Sequence, residues 1–186
     1  MKKLFILIFI CFTNLYLFGQ NKNINLQLSK IKWTGKEITT KIHYGSLKFT
    51  SGNILFDNDE IVGGEFTVDM LSLLNEDLTG RSKDYLENHL RSEDFFSVEE
   101  YPRSTLKITS TEKIDIDKYE VLGSLTIKGI TKSTNFILLL NENGATVEMV
   151  FDRSKFDVKY RSSSFFSNLG DKLIYDDIKL EVSLYF

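Results

Sequence analysis

Only two imidazoles are available to do chemistry in this chain, His43 and His89, and they stand 46 positions apart. Zinc usually takes three or four ligands from His, Cys and carboxylates, so no metal site is expected. His43, in KIHYG, could move a proton. With no obvious partner nearby in sequence, it reads as a hydrogen-bonded structural histidine. SKIK (Ser29–Lys32) and STLK (Ser104–Lys107) both carry the S-x-x-K spacing of an active serine. That spacing works on a helix, and both segments alternate like strands. Asp57, Asp59 and Glu60 resemble a metal loop, but hairpin turns favour acids for their own reasons. Asp115 and Asp117 alternate on one strand face and read as solvated. There is no G-x-S-x-G, G-x-G-x-x-G or P-loop. The expectation is a protein with no catalytic residues and no cofactor, and not an enzyme.

The elements that would hold these residues are mostly strands. Ile31 and Trp33 alternate with polar neighbours, as do Leu47 and Phe49. Asn58-Asp59 marks a turn before IVGGEFTVDM, where Phe66, Val68 and Met70 share a face. Leu106 and Ile108 follow the single proline, Pro102, and Val121, Leu125 and Ile127 follow them. TNFILLL and ATVEMVF flank NENG, whose Asn143-Gly144 suits the tip of a type I′ hairpin. Leu180, Val182, Leu184 and Phe186 alternate to the end of the sequence. About eight short strands with turns between them point to an antiparallel sandwich or barrel. One segment departs from this pattern. Tyr85, Leu86, His89 and Leu90 fall at helical spacing, which predicts a short helix over 82–91 capped by Ser82. A second turn is predicted over 92–97, starting at Ser92. This helical insertion, 82–97, should cover an end or flank of the sheet.

The N-terminus, MKKLFILIFICFTNLYLFGQ, combines Lys2 and Lys3 with an apolar run from Leu4 to Phe12 and ends in Gly19-Gln20. It reads as a secretory signal peptide over residues 1–20. Leu4–Phe18 is 15 residues, broken by Thr13 and Asn14, whereas about 20 are needed to span a bilayer. Ile10 is too bulky a neighbour for lipidation of Cys11. Cleavage near Gln20 or Asn21 would leave no cysteine, hence no disulfide or thiol chemistry. Residues 21–27, NKNINLQ, read as a flexible leader, and 28–186 as one domain. The net charge is −3, and it becomes −5 without residues 1–20, which hold two lysines and no acid. Such a surface repels nucleic acid and gives no steering toward anionic lipid.

HLRSEDFFSVEEYP (89–102) resembles the signature of the YceI-like, polyisoprenoid-binding proteins, close to H-L-K-S-x-D-F-F-x-V-x-x-Y-P. Further blocks agree in order: WTGKEITTKIHYGSLKFTSGNILF, GGEFTVDMLSL, GSLTIKGITK, DRSKFDVKYRSSSFF and LEVSLYF. The resemblance covers nearly all of 30–186. It implies an eight-stranded antiparallel, lipocalin-like barrel with an elongated apolar lumen for an isoprenoid chain. It also fits export to the periplasm, because many members are exported. One position departs from the family pattern. Asp157 stands where a glycine is usual, and Asp tolerates the left-handed backbone that glycine implies.

An eight-stranded barrel can fill its interior or keep it open for one ligand, and composition does not decide which. If the lumen is open, period-two phase assigns its wall. Trp33, Phe49, Phe66 and Val68 come from the first strands. Leu106, Ile108, Leu125 and Ile127 come from the middle of the chain, and Phe136, Leu138, Val147, Met149, Val182 and Leu184 from the last strands. About two-thirds are expected to touch the lumen. Phe95 and Phe96 should pack under the helical loop, as a structural plug or as a gate at the mouth. The implied partner is an isoprenoid or other long-chain lipid taken from a membrane, with transient membrane contact. The competing expectation is a non-catalytic structural or stress-response barrel with a filled core.

Overall fold

The computed structural model describes residues 19–186, so the expected signal segment lies outside the described residues except for Gly19 and Gln20. In chain order the strands are β1 (Gln20–Asn23), β2 (Lys30–Lys36), β3 (Ile42–Asp57) and β4 (Glu60–Asn75). Helix α1 (Gly80–Arg91) follows, then β5 (Arg103–Asp115), β6 (Lys118–Ile127), β7 (Ile130–Asn141), β8 (Gly144–Asp152) and β9 (Asp177–Tyr185). All pairings are antiparallel. The ring runs β3-β2-β9-β8-β7-β6-β5-β4 and closes through β3–β4. This is the expected eight-stranded barrel with one short helix.

The two longest strands explain both the closure and the ninth strand. β3 and β4 are 16 residues each, and register shifts at Ser46/Lys48, Phe49/Ser51 and Leu55/Phe56 let them curve. β2 covers only Ile42–Leu47 of β3. The rest of that edge would be bare, and β1 covers it by pairing Gln20 with Phe56 and Asn23 with Asn53. The flexible leader expected over 21–27 is therefore corrected. Ile24 is buried and its N–H donates to the Gly52 carbonyl at 2.9 Å, while Asn25 Oδ1 accepts from the N–H groups of Gln27 and Leu28. Ile24, Ile54, Phe56 and Ile61 are buried together, with the Phe56 and Phe186 rings 5.9 Å apart, and they shut this end of the barrel.

The hairpins also refine expectation. Asn58 and Asp59 adopt φ of 48° and 63°, and Lys128-Gly129 adopt 50° and 71°, as type I′ turns require. TNFILLL and ATVEMVF do pair antiparallel, with Leu138 opposite Val147. The tip, however, is Glu142-Asn143, because Gly144 already pairs with Asn141 and with Tyr185. A Cβ at Gly144 would sit 1.8 Å from the Leu184 carbonyl oxygen. The glycine thus serves a close strand approach rather than the turn.

α1 begins two residues before the expected 82 and is capped by Thr79, not Ser82. The Thr79 side chain makes no capping bond, so its type carried little signal. Buried Glu87 fastens the helix to the barrel, its Oε1 accepting the Asn75 N–H at 2.8 Å. Arg91 donates to the Leu73 carbonyl. Ser92 both ends α1, its hydroxyl donating to the His89 carbonyl at 2.8 Å, and starts the expected turn, its carbonyl accepting from the Phe95 and Ser97 N–H groups at 3.1 and 2.9 Å. Trp33, Leu73, Leu90, Phe95 and Val158 form a second buried cluster beneath the helix. Trp33 lies across from Gly45 and donates Nε1–H to the Leu74 carbonyl at 3.1 Å. A Cβ at Gly45 would meet that same carbonyl oxygen at 1.8 Å.

Candidate functional site

The barrel encloses a cavity of about 950 Å³, at the upper end of the roughly 300–1,000 Å³ usual for small-molecule sites. All fourteen residues assigned to the wall by strand phase border it. Eleven are buried, and Val68, Leu106 and Val182 are half-buried. The registers explain the agreement, since Phe66 pairs with Leu106, Leu106 with Leu125, and Val147 with both Leu138 and Val182. Antiparallel partners point to the same face, so one correct phase propagates around the ring. Ile31, Leu47, Met70, Ile178 and Leu180 extend the wall and are missing from the assigned set. Ile31, Leu47, Met70 and Leu180 each stand two residues from an assigned residue and Ile178 four, all in phase, so the alternation already contained the signal.

Phe95 and Phe96 also border the cavity, their rings 6.0 Å apart. Phe95 is buried among His89, Tyr160 and the Arg153 guanidinium, which lies 5.3 Å from its ring centroid. The doubled phenylalanine therefore packs under the helical loop and faces the lumen at once.

Arg153 is the contributor that sequence reasoning left without a role, although its Arg-Ser-x-Phe block carries part of the resemblance. It is fully buried. Nε donates to the Tyr175 carbonyl, Nη1 to Val158, and Nη2 to Tyr160 and Ile174, at 2.9–3.3 Å. Asp176 Oδ1 stands 3.2 Å from Nη2. Burial pulls the guanidinium below its usual proton affinity, and the Asp176 and Asp152 carboxylates oppose that shift. One side chain thereby gathers the loop between β8 and β9 against the barrel rim. That loop begins with a short 3₁₀ turn, Arg153–Phe156, ended by Asp157 at φ 59°, ψ 30°. The left-handed position expected for the usual glycine is thus occupied by Asp.

The polar groups of the cavity concentrate at the α1 end. His43 Nδ1 lies 2.8 Å from Asp77 Oδ2, so His43 has the partner that its sequence neighbourhood did not reveal. Burial alone would raise the Asp77 carboxyl. Hydrogen bonds from the Tyr44 N–H, His43 and Asn75 outweigh it and hold Asp77 below its usual value. Glu37 Oε1 is 4.0 Å from the other ring nitrogen of His43. The pair could pass a proton, but the wall beyond it offers a ligand chiefly apolar contact.

His89 stands edge-on to Tyr160 at 4.3 Å and to Phe95 at 5.3 Å. Burial lowers its pKa below the usual 6.5. Asp94 opposes this and Arg161 reinforces it. The unfolded chain therefore takes up this proton before the folded one does. Stability should fall as pH drops through 6.5 toward the depressed folded value, then level off. His89→Phe keeps an aromatic ring and removes the proton. Urea titrations at about pH 7 and about pH 5 should show a smaller pH-dependent loss for the variant than for the wild type. Equal losses would refute the assignment.

A sequence profile of the YceI-like domain matches residues 23–186. UPF0312 protein plu2095 of Photorhabdus laumondii is 37% identical over 90 residues, 48% of this chain and 44% of that protein. Protein YceI of Escherichia coli O157:H7 is 33% identical over 114 residues, 61% of this chain and 53% of that protein. The chain thus spans about half the length of these relatives. Among solved structures, Burkholderia cenocepacia BcnA superposes with a TM-score of 0.69 at 21% identity, covering 87% of this chain and 98% of that one. The Campylobacter jejuni YCEI protein gives 0.55 at 22% identity, covering 74% and 83%. At these identities the structures establish the fold alone. With the profile covering every strand of the closed ring, the chain belongs to the YceI-like domain family.

Proposed function

We propose that the protein holds a long apolar chain of isoprenoid type in the lumen and acts in transport, storage or sequestration, without catalysis. The observation carrying this reading is the cavity of about 950 Å³, apolar along its depth and polar at one end. Each buried CH₂ is worth roughly 0.8 kcal/mol relative to water. Counted in full, a long isoprenoid would pass the affinity ceiling of about −18 to −21 kcal/mol. Its donor is a membrane, however, where the chain is already dry. Transfer from bilayer to lumen is then nearly balanced and is decided by shape and by contacts at the mouth. That balance suits reversible carriage. Exported, periplasmic residence is part of the proposal and rests on the charged and apolar segments of residues 1–20.

Native mass spectrometry of protein purified from its own host, followed by organic extraction, tests these points together. The expected result is a chain beginning near Gln20 or Asn21, carrying about one long-chain lipid that extraction releases. An empty protein under native conditions would favour a barrel without a lipid ligand. A mass retaining Met1–Phe18, or a diacylglyceryl adduct on Cys11, would overturn export with cleavage.

A further inference from the structure

The charge around the mouth opposes that of the chain. Lys36, Lys41, Arg81 and Arg161 border the α1 end of the cavity, and the carboxylates among the bordering residues are Glu37 and Asp77. Both carboxylates face His43. Among the described residues none of the four cations forms an ion pair. Elsewhere on the barrel some lysines are paired, Lys32 with Glu181, Lys113 with Glu60 and Lys179 with Glu148. The net charge of −3 thus conceals an excess of two cations over carboxylates among the described residues that border this end of the cavity.

Exposed apolar side chains share this end. Ile38 and Ile42, at the β2–β3 turn that carries Lys41, are 41% and 49% exposed. Tyr85, one helical turn beyond Arg81, is 73% exposed. Phe165 and Phe166, in the loop that carries Arg161, are 42% and 50% exposed. These parts are stitched to one another, because the Ile38 N–H donates to the Leu173 carbonyl and the Ile174 N–H to the Arg161 carbonyl, both at 3.0 Å.

We propose that this rim is a docking face for an anionic bilayer surface. Unpaired Lys and Arg complement anionic head groups, and exposed aromatic and aliphatic side chains settle at the head-group boundary. Docking in this orientation opens the lumen onto the membrane and leaves the shut end in water. The proposal rests on the lumen reading, and it supplies the route by which a dry chain enters without crossing water.

The test uses the full mature chain with two kinds of vesicle, pure phosphatidylcholine and phosphatidylcholine containing phosphatidylglycerol. The wild type should bind the anionic vesicles at least tenfold more tightly, and added salt should weaken that binding. Lys41→Glu with Arg81→Glu should abolish the preference. Lys113→Glu with Lys118→Glu carries the same charge change at the β5–β6 turn, at the opposite end of the barrel, and should retain it. Lipid occupancy of each protein is measured separately by extraction. An occupied wild type with no anionic preference overturns the docking face and leaves the lumen reading intact. Anionic preference with an empty lumen supports the face and overturns the lumen reading. Equal loss in both double variants, or retained preference in the Lys41/Arg81 variant, shows that the rim is not the docking face.

Discussion

Replacing Arg153 with methionine should cost about 3–5 kcal/mol, the usual penalty for removing one partner from a buried, charged network. Native domains hold only about 5–15 kcal/mol in reserve, so this variant should sit near the edge of folding. The loss has identifiable parts. The carbonyls of Val158, Tyr160, Ile174 and Tyr175 lose their donor, and the largely buried Asp176 carboxylate loses its counter-charge. Arg153→Lys should be nearly as damaging, because an ammonium cannot span four carbonyls that a planar guanidinium reaches at once. Adding Asp176→Asn to the methionine variant should recover part of the loss by removing the stranded charge. Urea unfolding decides the matter. A midpoint shift equivalent to less than about 1 kcal/mol would show that the loop does not depend on this network.

The second large effect is expected inside the lumen. Ile127→Trp or Val147→Trp adds bulk to the wall without adding charge. In a filled core such overpacking costs about 1–3 kcal/mol or more. Here both side chains border open space, so the variants should fold with melting temperatures close to wild type while carrying far less lipid, about tenfold less or lower. Thermal melting paired with lipid extraction reads both quantities on one preparation. Unfolding of either variant, together with an empty wild type, would mean that the interior is packed in solution and that the binding proposal fails. Normal folding with unchanged lipid content would place the ligand elsewhere.

The lumen wall was legible because a strand with one buried face declares its phase in the sequence. Phe66-Thr67-Val68 and Leu106-Lys107-Ile108 each name a face, and antiparallel pairing brings those faces together. Regular alternation carries nothing about groups that act through single long-range contacts. Gln20–Asn23 looks like a polar leader because its partner edge exists only when β3 outruns β2. Arg153 looks like one more surface cation because the carbonyls it serves lie in an aperiodic loop. His43 seemed to lack a partner because Asp77 is 34 positions away. The whole-chain charge pointed away from membranes because an average over the surface erases a local excess at the mouth. Asp157 shows the opposite case. A backbone demand for left-handed φ restricts residue type strongly enough to be read from one position.

Closure of the ring has a kinetic consequence. β3 through β8 are joined by hairpins or by the α1 excursion, so their pairings form between near neighbours in the chain. The seam is different. β2 must find β9, and the Tyr185 N–H reaches the Ser29 hydroxyl across 156 positions. Loop-closure entropy for that encounter is spent before any contact rewards it, which puts folding in the slow, milliseconds-to-seconds class of β proteins. Until the last nine-residue strand is available, β2 and β8 are open edges beside an exposed apolar interior. A nascent chain therefore cannot complete its barrel before β9 is made, and loss of β9 would leave two sticky edges rather than a smaller fold.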